Sequence, residues 1–177
     1  MSQQRYALWY EPTGESYVEL SAIIKKLATA YRSPIFEPHI TLLPGGTEAN
    51  LATVTQKLED IISDTPPFET HLTSYSYLEE YFKCIFIQVE KTPSVMNFAH
   101  AIQREIHGQQ ANDFIPHLSI FYGQLPIAEK KEIIKNLGDL VNKHFIIKTV
   151  HVISYELGKP PESWKKVASI IFSKTAV

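Results

Sequence analysis

Cysteine is almost absent from this chain, which carries a single one, Cys84, among 177 residues. One thiol cannot form an intramolecular disulfide, and it cannot supply the several thiolates of a cysteine-rich zinc site. Its apolar neighbours Ile85, Phe86 and Ile87 are typical of a strand, so we expect a buried and unreactive thiol.

Long apolar runs are also missing. No stretch approaches the roughly 20 residues that a membrane-spanning helix needs. The first residues, Met1 to Arg5, lack the basic start and apolar stretch of a signal peptide. These features predict a cytoplasmic protein with no membrane partner.

Neither sign of charge is in large excess, with 17 Lys and Arg against 19 Asp and Glu and a net charge of −2. This balance disfavours binding to extended nucleic acid, which needs many basic side chains along a phosphate backbone. A small phosphorylated ligand needs only a local site. The composition, 44% hydrophobic and 20% charged, predicts that residues 1–177 form one globular domain.

The hydrophobic pattern predicts an α+β fold. Short β-rich runs predict strands over residues 6–10, 39–43, 68–77, 81–89, 117–122, 145–157 and 166–172. Apolar residues at helical spacing predict four helices between them. Ser16 with Glu19 has the capping-box spacing for the first helix, and Thr92-Pro93 suits the start of the third. The apolar face of the fourth, which follows Pro126, extends to Val141.

An internal repeat is the most informative feature. The segment Phe36-Glu37-Pro38-His39-Ile40-Thr41-Leu42-Leu43-Pro44-Gly45 aligns with Phe114-Ile115-Pro116-His117-Leu118-Ser119-Ile120-Phe121-Tyr122-Gly123 at an offset of 78. The same offset superimposes the first strand and helix on a later strand and helix. We therefore expect two lobes related by a pseudo-twofold axis, with mainly antiparallel sheets flanked by helices and a cleft between the lobes.

Each repeat ends in a strand with the pattern His-x-[Thr/Ser]. Residues i and i+2 of a strand share a face, so His39 lies beside Thr41 and His117 beside Ser119. Two imidazoles can divide proton removal and proton donation between them, and two hydroxyls can bind phosphoryl oxygens. A cyclic phosphodiester suits such a site, and the chemistry calls for no metal or cofactor. Alternatively, a duplicated structural lobe could retain Pro-His only because these residues pack well.

These motifs, together with Tyr6 to Trp9 and Phe82 to Phe86, resemble the 2H phosphoesterases, and within them the cyclic phosphodiesterases of plants and fungi. The resemblance covers most of the chain and implies the bilobal 2H fold. It also implies hydrolysis of ADP-ribose 1″,2″-cyclic phosphate to ADP-ribose 1″-phosphate, and of nucleoside 2′,3′-cyclic phosphates to 2′-phosphates. The first substrate is a by-product of tRNA splicing.

The resemblance also implies roles for individual residues. His39 and His117 would be the acid/base pair, with His117 activating water and His39 protonating the leaving oxygen, an order that a reversed substrate pose would exchange. Thr41 and Ser119 would bind the phosphate. Three further residues would contact substrate: Trp9, Phe82 and Tyr122. Strand alternation alone would turn Tyr122 to the opposite face of the sheet. For Trp9, packing in the hydrophobic core explains the aromatic residue almost as well as substrate contact does.

Other functions stay open from the sequence. An RNA-end phosphodiesterase or 2′-5′ RNA ligase-like enzyme would use the same four residues, but it would need a basic groove. A nucleotide-binding module would bind without turnover. A dinuclear metal hydrolase is disfavoured because both motifs lack carboxylates. The remaining histidines show no metal-ligand spacing, so we expect structural or surface roles for them. We expect a monomer acting on a small cyclic phosphate.

Overall fold

A computed structural model describes residues 4–110 and 113–173. Residues Met1 to Gln3, which belong to the segment predicted to lack a signal peptide, lie outside the described residues. The described helices are α1 (Gly14–Tyr31), α2 (Leu51–Asp64), α3 (Pro93–His107) and α4 (Ile127–Lys135). The strands are β1 (Gln4–Tyr10), β2 (Ile40–Thr41), β3 (Phe68–Ser76), β4 (Ile85–Val89), β5 (His117–Phe121), β6 (His144–Ile147), β7 (Thr149–Glu156) and β8 (Lys165–Ile171).

The eight described strands form one antiparallel sheet in the order β6-β3-β4-β5-β2-β1-β7-β8. The repeat of the sequence appears in this order. Shifting β1, α1, α2 and β3 by 78 residues brings them onto β4, α3, α4 and β7, and it brings β2 inside β5. Each half of the sheet therefore contains the equivalent elements, and the halves meet where β5 pairs with β2. The predicted α+β fold with two related lobes is confirmed.

The sheet curls around a continuous hydrophobic core. Tyr10 on β1 reaches across to β3, where its ring lies 6.3 Å from that of Phe68. The ring of Phe68 is also 6.0 Å from that of Phe172, which follows β8 in the other half of the sheet. A flat sheet would hold these strands far apart. Curling brings their side chains together in one core, in which Leu8 and Ile40 are completely buried.

Local signals explain where two of the helices begin and end. Thr92 accepts a hydrogen bond from the backbone N–H of Val95 at 3.3 Å, and Pro93 begins α3, as predicted. Gly108 ends α3 with a φ of 77°, a left-handed conformation that glycine adopts without strain. Asn50 caps α2 by accepting from the N–H of Thr53 at 2.9 Å.

Several local predictions need correction. The strand predicted over 81–89 starts only at Ile85, because Tyr81–Lys83 form a 3₁₀ turn, and the strand predicted over 145–157 is divided into β6 and β7.

The first helix begins at Gly14, so Ser16 lies inside its first turn and the predicted capping box is wrong. The apolar face of the fourth helix predicts a helix that extends to Val141, but the helix ends at Lys135. The Asn136 side chain donates to the Glu132 backbone carbonyl, and Gly138 has a φ of +69°, so the helix stops there. The strand predicted over 39–43 keeps a regular ladder only at Ile40–Thr41.

None of the helices in the described residues is long and apolar enough to cross a membrane.

Candidate active site

The pairing of β2 with β5 brings the two His-x-[Thr/Ser] motifs together. Ile40 lies opposite Leu118 in this antiparallel pair, and both side chains are fully buried. Opposed residues of antiparallel strands share a face, and the face alternates along each strand. One residue further along, Thr41 is therefore opposite His117, and His39 is opposite Ser119. All four side chains lie on the face of the sheet away from Ile40.

The two imidazoles are anchored in the same way. Nδ1 of His39 donates to the backbone carbonyl of Glu37 at 2.6 Å, and Nδ1 of His117 donates to that of Ile115 at 2.7 Å. A carbonyl can only accept, so Nδ1 carries the proton in both rings. Nε2 of each neutral ring is then the basic nitrogen. The arrangement fixes equivalent tautomers in the two halves of the molecule.

Burial keeps both imidazoles neutral in the free protein. It lowers the pKa of His39 to about 4, although the Glu37 carbonyl and the Glu11 carboxylate both favour the charged ring. Burial also lowers the pKa of His117, with Lys83 adding to the effect. Each ring can accept a proton at neutral pH, and an anionic ligand would favour the charged form of either.

Ser119 has a partner inside the protein. Its hydroxyl donates to the backbone carbonyl of Phe82 at 2.7 Å. A phosphoryl oxygen would compete with that carbonyl for the hydroxyl proton. Thr41 lies between His117 and Trp9 in the sheet, because its other ladder partner is Trp9.

Tyr122 lies close to His39 although strand alternation argued against it. Its phenol oxygen is 3.4 Å from Nε2 of His39. The Tyr122 ring stacks on Phe36 with centroids 3.7 Å apart. Burial raises the pKa of the phenol, which therefore stays neutral. Tyr122 follows the last residue of β5, where the alternating pattern of the strand no longer applies.

Trp9 supports the first histidine from β1. Its ring stacks on His39 with centroids 3.9 Å apart and an angle of 23° between the planes. Only 5% of Trp9 is exposed, so little of its surface is open to a ligand. Direct contact between Trp9 and substrate stays a prediction, whereas its contact with His39 is a feature of the structure.

Phe82 and Trp164 form the outer aromatic pair of the site. Phe82 is 53% exposed, and the Trp164 ring lies 6.2 Å away at an angle of 38°. Trp164 is also 6.2 Å from the His39 ring and 5.9 Å from that of Trp9. Trp164 is not among the site residues that the sequence predicts. The only sequence signal was the rarity of tryptophan, since Trp164 belongs to a β7–β8 connection far from both motifs.

A charged cluster that the sequence does not predict lies beside Trp9. The Glu11 carboxylate accepts from Nε1 of Trp9 at 3.0 Å and pairs with Lys166 at 2.9 Å. Nε2 of His151 is 3.6 Å from the same carboxylate. His151 was expected to have a structural or surface role, and its location beside the site was not foreseen. Across the described ranges, no three or more His, Cys, Asp or Glu residues are arranged to hold a metal ion.

The curled two-lobed sheet with paired His-x-[Thr/Ser] strands defines a 2H phosphoesterase. A sequence model described as the 2′-5′ RNA ligase superfamily matches residues 18–159, and the chain belongs to that superfamily.

Two curated proteins illustrate its relatives. The chain is 25% identical over 128 residues to the cyclic phosphodiesterase of Arabidopsis thaliana, a match covering 71% of this chain and 69% of the plant protein. It is 30% identical over 111 residues to the 2′,3′-cyclic-nucleotide 3′-phosphodiesterase of Yarrowia lipolytica, covering 56% of this chain and 49% of the yeast protein. The match thus spans about half the length of the yeast relative.

Solved structures support the fold. The TT0787 protein of Thermus thermophilus superimposes with a TM-score of 0.64 at 16% identity, covering 97% of this chain and 98% of the other. E. coli LigT complexed with 3′-AMP gives 0.57 at 11% identity, with coverage of 97% and 99%. At these identities the likeness concerns the fold alone.

Proposed function

We propose that this protein is a metal-independent cyclic phosphodiesterase. It opens nucleoside 2′,3′-cyclic phosphates to nucleoside 2′-phosphates, and ADP-ribose 1″,2″-cyclic phosphate to ADP-ribose 1″-phosphate. The main support is the pairing of β2 with β5, which gives His39 and His117 a common face and equivalent ring anchors. The names of the plant and yeast relatives support the same class of reaction.

His117 acts as the general base in the proposed reaction. Its Nε2 takes a proton from water as the water oxygen bonds to phosphorus. The P–O3′ bond breaks, its electron pair stays on the 3′ oxygen, and His39 gives that oxygen a proton from Nε2. The product is a 2′-phosphate. The reaction leaves His117 protonated and His39 neutral. Both rings return to their starting states when His117 releases a proton to solvent and His39 takes one up, so protons balance over each turnover.

Thr41 and Ser119 bind the non-bridging phosphoryl oxygens. Their hydroxyls donate to oxygens that gain negative charge in the transition state. The phosphate charge also assists His39, because an anion beside a buried imidazole favours the protonated ring. Substrate binding therefore brings the acid into its charged form despite the low pKa in the free protein.

The outer aromatic pair provides a surface for the nucleobase. Phe82 is exposed beside Trp164, and stacking on a base is worth roughly 1–3 kcal/mol. The net charge of −2 favours a small substrate over extended RNA. We further propose that the chain works as a monomeric, single-domain cytoplasmic enzyme, and that its substrates include by-products of tRNA splicing.

Phosphorus NMR of 2′,3′-cyclic AMP incubated with the purified protein in EDTA tests the proposal. We expect conversion to adenosine 2′-phosphate by the wild type and no conversion by His117→Ala. Turnover that EDTA abolishes would contradict the metal-independent mechanism. Binding without turnover would favour a nucleotide-binding module, and activity only on RNA ends would favour the ligase-like alternative.

A further inference from the structure

Glu11 has no role in the mechanism above, yet its environment is unusual for a carboxylate. It follows the end of β1 and only 12% of its side chain is exposed. Lys166 on β8 contacts both carboxylate oxygens, at 2.9 and 3.1 Å. Burial opposes ionisation, but the hydrogen bonds from Lys166 and Trp9 outweigh it and keep the pKa of Glu11 below its usual value. Glu11 is therefore a charged group beside the site.

Glu11 is connected to the reacting histidine through a single side chain. Oε1 of Glu11 accepts from Nε1 of Trp9 at 3.0 Å, and the Trp9 ring lies flat against the His39 ring. The opposite anchor of His39 is the Glu37 carbonyl on Nδ1. An indole fixed at its N–H cannot rotate away from the imidazole. The direction of Nε2 of His39 is thus set by two contacts, one on the ring edge and one on the ring face.

We propose that Glu11 is a positioning residue for His39, acting through the Trp9 indole and through its own negative charge. The inference rests on the proposed function, because it assigns His39 the task of donating a proton. Hydrogen bonding keeps the Trp9 ring against the imidazole. The carboxylate also favours the imidazolium that this donation requires.

The other groups around His39 do not duplicate this effect. His117 on β5 opposes a second positive charge nearby, and the phenol of Tyr122 stays neutral. Glu37 contacts the His39 ring through its backbone carbonyl, and the Glu37 carboxylate is 3.6 Å from Lys166.

On the far side of Glu11, Lys166 balances part of the carboxylate charge. His151 on β7 is kept neutral at neutral pH by burial, which lowers its pKa. Its Nδ1 hydrogen-bonds with the Ser169 hydroxyl at 2.8 Å. Glu11 is the carboxylate of this cluster that acts on His39.

Proton NMR of the ligand-free protein tests the positioning without relying on activity. In the wild type we expect a slowly exchanging Trp9 indole proton and nuclear Overhauser contacts between Trp9 and His39. Glu11→Gln retains an oxygen that can accept from Trp9, and it should keep both signals. Glu11→Ala should speed indole exchange and weaken the contacts. Unchanged signals in Glu11→Ala would overturn the proposal.

Kinetics test the consequence for the reaction. Glu11→Ala should lower kcat roughly tenfold or more with little change in KM, because the acid is misplaced rather than the substrate. Glu11→Gln should restore much of kcat. Its kcat should nevertheless decline at a lower pH than that of the wild type, since the neutral amide no longer favours the imidazolium. A raised KM with unchanged kcat would overturn the proposal.

Two further variants complete the design. Glu48→Gln removes the exposed carboxylate that pairs with Arg5 and should leave the pH profile unchanged. In a Trp9→Phe background, which lacks the indole N–H, Glu11→Ala should cost less than it does alone. If Glu11→Ala lowered kcat by the same factor in the Trp9→Phe background as in the wild type, action through Trp9 would be contradicted. If the wild type shows no turnover, the proposed function fails, while the NMR experiment still decides the positioning role.

Discussion

The phenol oxygen of Tyr122 lies 3.4 Å from Nε2 of His39, the nitrogen that would donate the proton to the leaving oxygen. Tyr122→Phe removes this hydroxyl and keeps the ring that stacks on Phe36. We expect kcat to fall roughly 5- to 10-fold, the effect of losing about one neutral hydrogen bond. Steady-state rates on 2′,3′-cyclic AMP measure it. An unchanged kcat would place the phenol outside the reaction.

The two histidines should act as a unit. His39→Ala and His117→Ala should each lower kcat by roughly 100-fold or more, because each removes one of the two proton transfers. The double variant should be little worse than either single one. His144→Ala is the matched control, since His144 is exposed on β6 and should be dispensable. Losses that multiply in the double variant would show independent roles.

The pH profile should reflect two buried imidazoles. The reaction needs one ring neutral and the other charged, so kcat/KM rises as pH increases through the lower of the two pKa values and falls as pH increases through the higher one. Burial lowers the pKa of His39 to about 4 and lowers that of His117 below its usual 6.5. The maximum of kcat/KM should therefore lie below pH 6.5.

The profile of kcat should lie at higher pH than that of kcat/KM. In the enzyme–substrate complex the anionic phosphate favours the protonated form of both imidazoles, which moves both limbs of the profile to higher pH. Initial rates at saturating and at low substrate concentrations separate the two profiles, with circular dichroism at each pH as the control for folding. Coincident alkaline limbs would contradict this role of the phosphate.

The outer aromatic pair should affect binding more than chemistry. Phe82→Ala and Trp164→Ala should each raise KM for 2′,3′-cyclic AMP by roughly 5-fold or more, as expected for a lost base-stacking contact. A change confined to kcat would argue against nucleobase binding by this pair. Ile171→Ala, which alters an apolar side chain that is 69% exposed on β8, is the control.

Two adjacent glycines allow a matched test of stability. Gly45 and Gly46 both have a left-handed φ, of 76° and 62°. A Cβ on Gly46 would lie 2.6 Å from the phenol oxygen of Tyr155 and 2.8 Å from the backbone oxygen of Tyr6, whereas one on Gly45 would meet nothing within 4 Å. Alanine at either position costs about 1–2 kcal/mol for the backbone conformation.

Gly46→Ala should cost a further 1 kcal/mol or so for this steric clash. Urea unfolding of both variants gives the difference in the free energy of unfolding. Equal destabilisation of the two variants would show that the Tyr155 side chain and the backbone at Tyr6 both move aside for the added methyl group.

Local chemistry made several elements predictable. Thr92-Pro93 and Gly108 mark the ends of α3 because a side-chain cap, a fixed φ and a left-handed residue act within a few positions. The capping box at Ser16 failed for the complementary reason. Its spacing was suitable, but the chain already enters the helix at Gly14. Short patterns predict that a helix exists better than they predict its first residue.

Sequence alone determined the pair of motifs and the two-lobed fold, because a repeat at a fixed offset and the two-residue period of a strand are properties of the chain itself. Only the tertiary structure decided that Trp164 and Glu11 lie beside His39. Their proximity depends on how β1, β7 and β8 pair and how the connection before Trp164 folds back over the sheet. The burial that lowers the pKa of both histidines also arises only when the separate segments pack together.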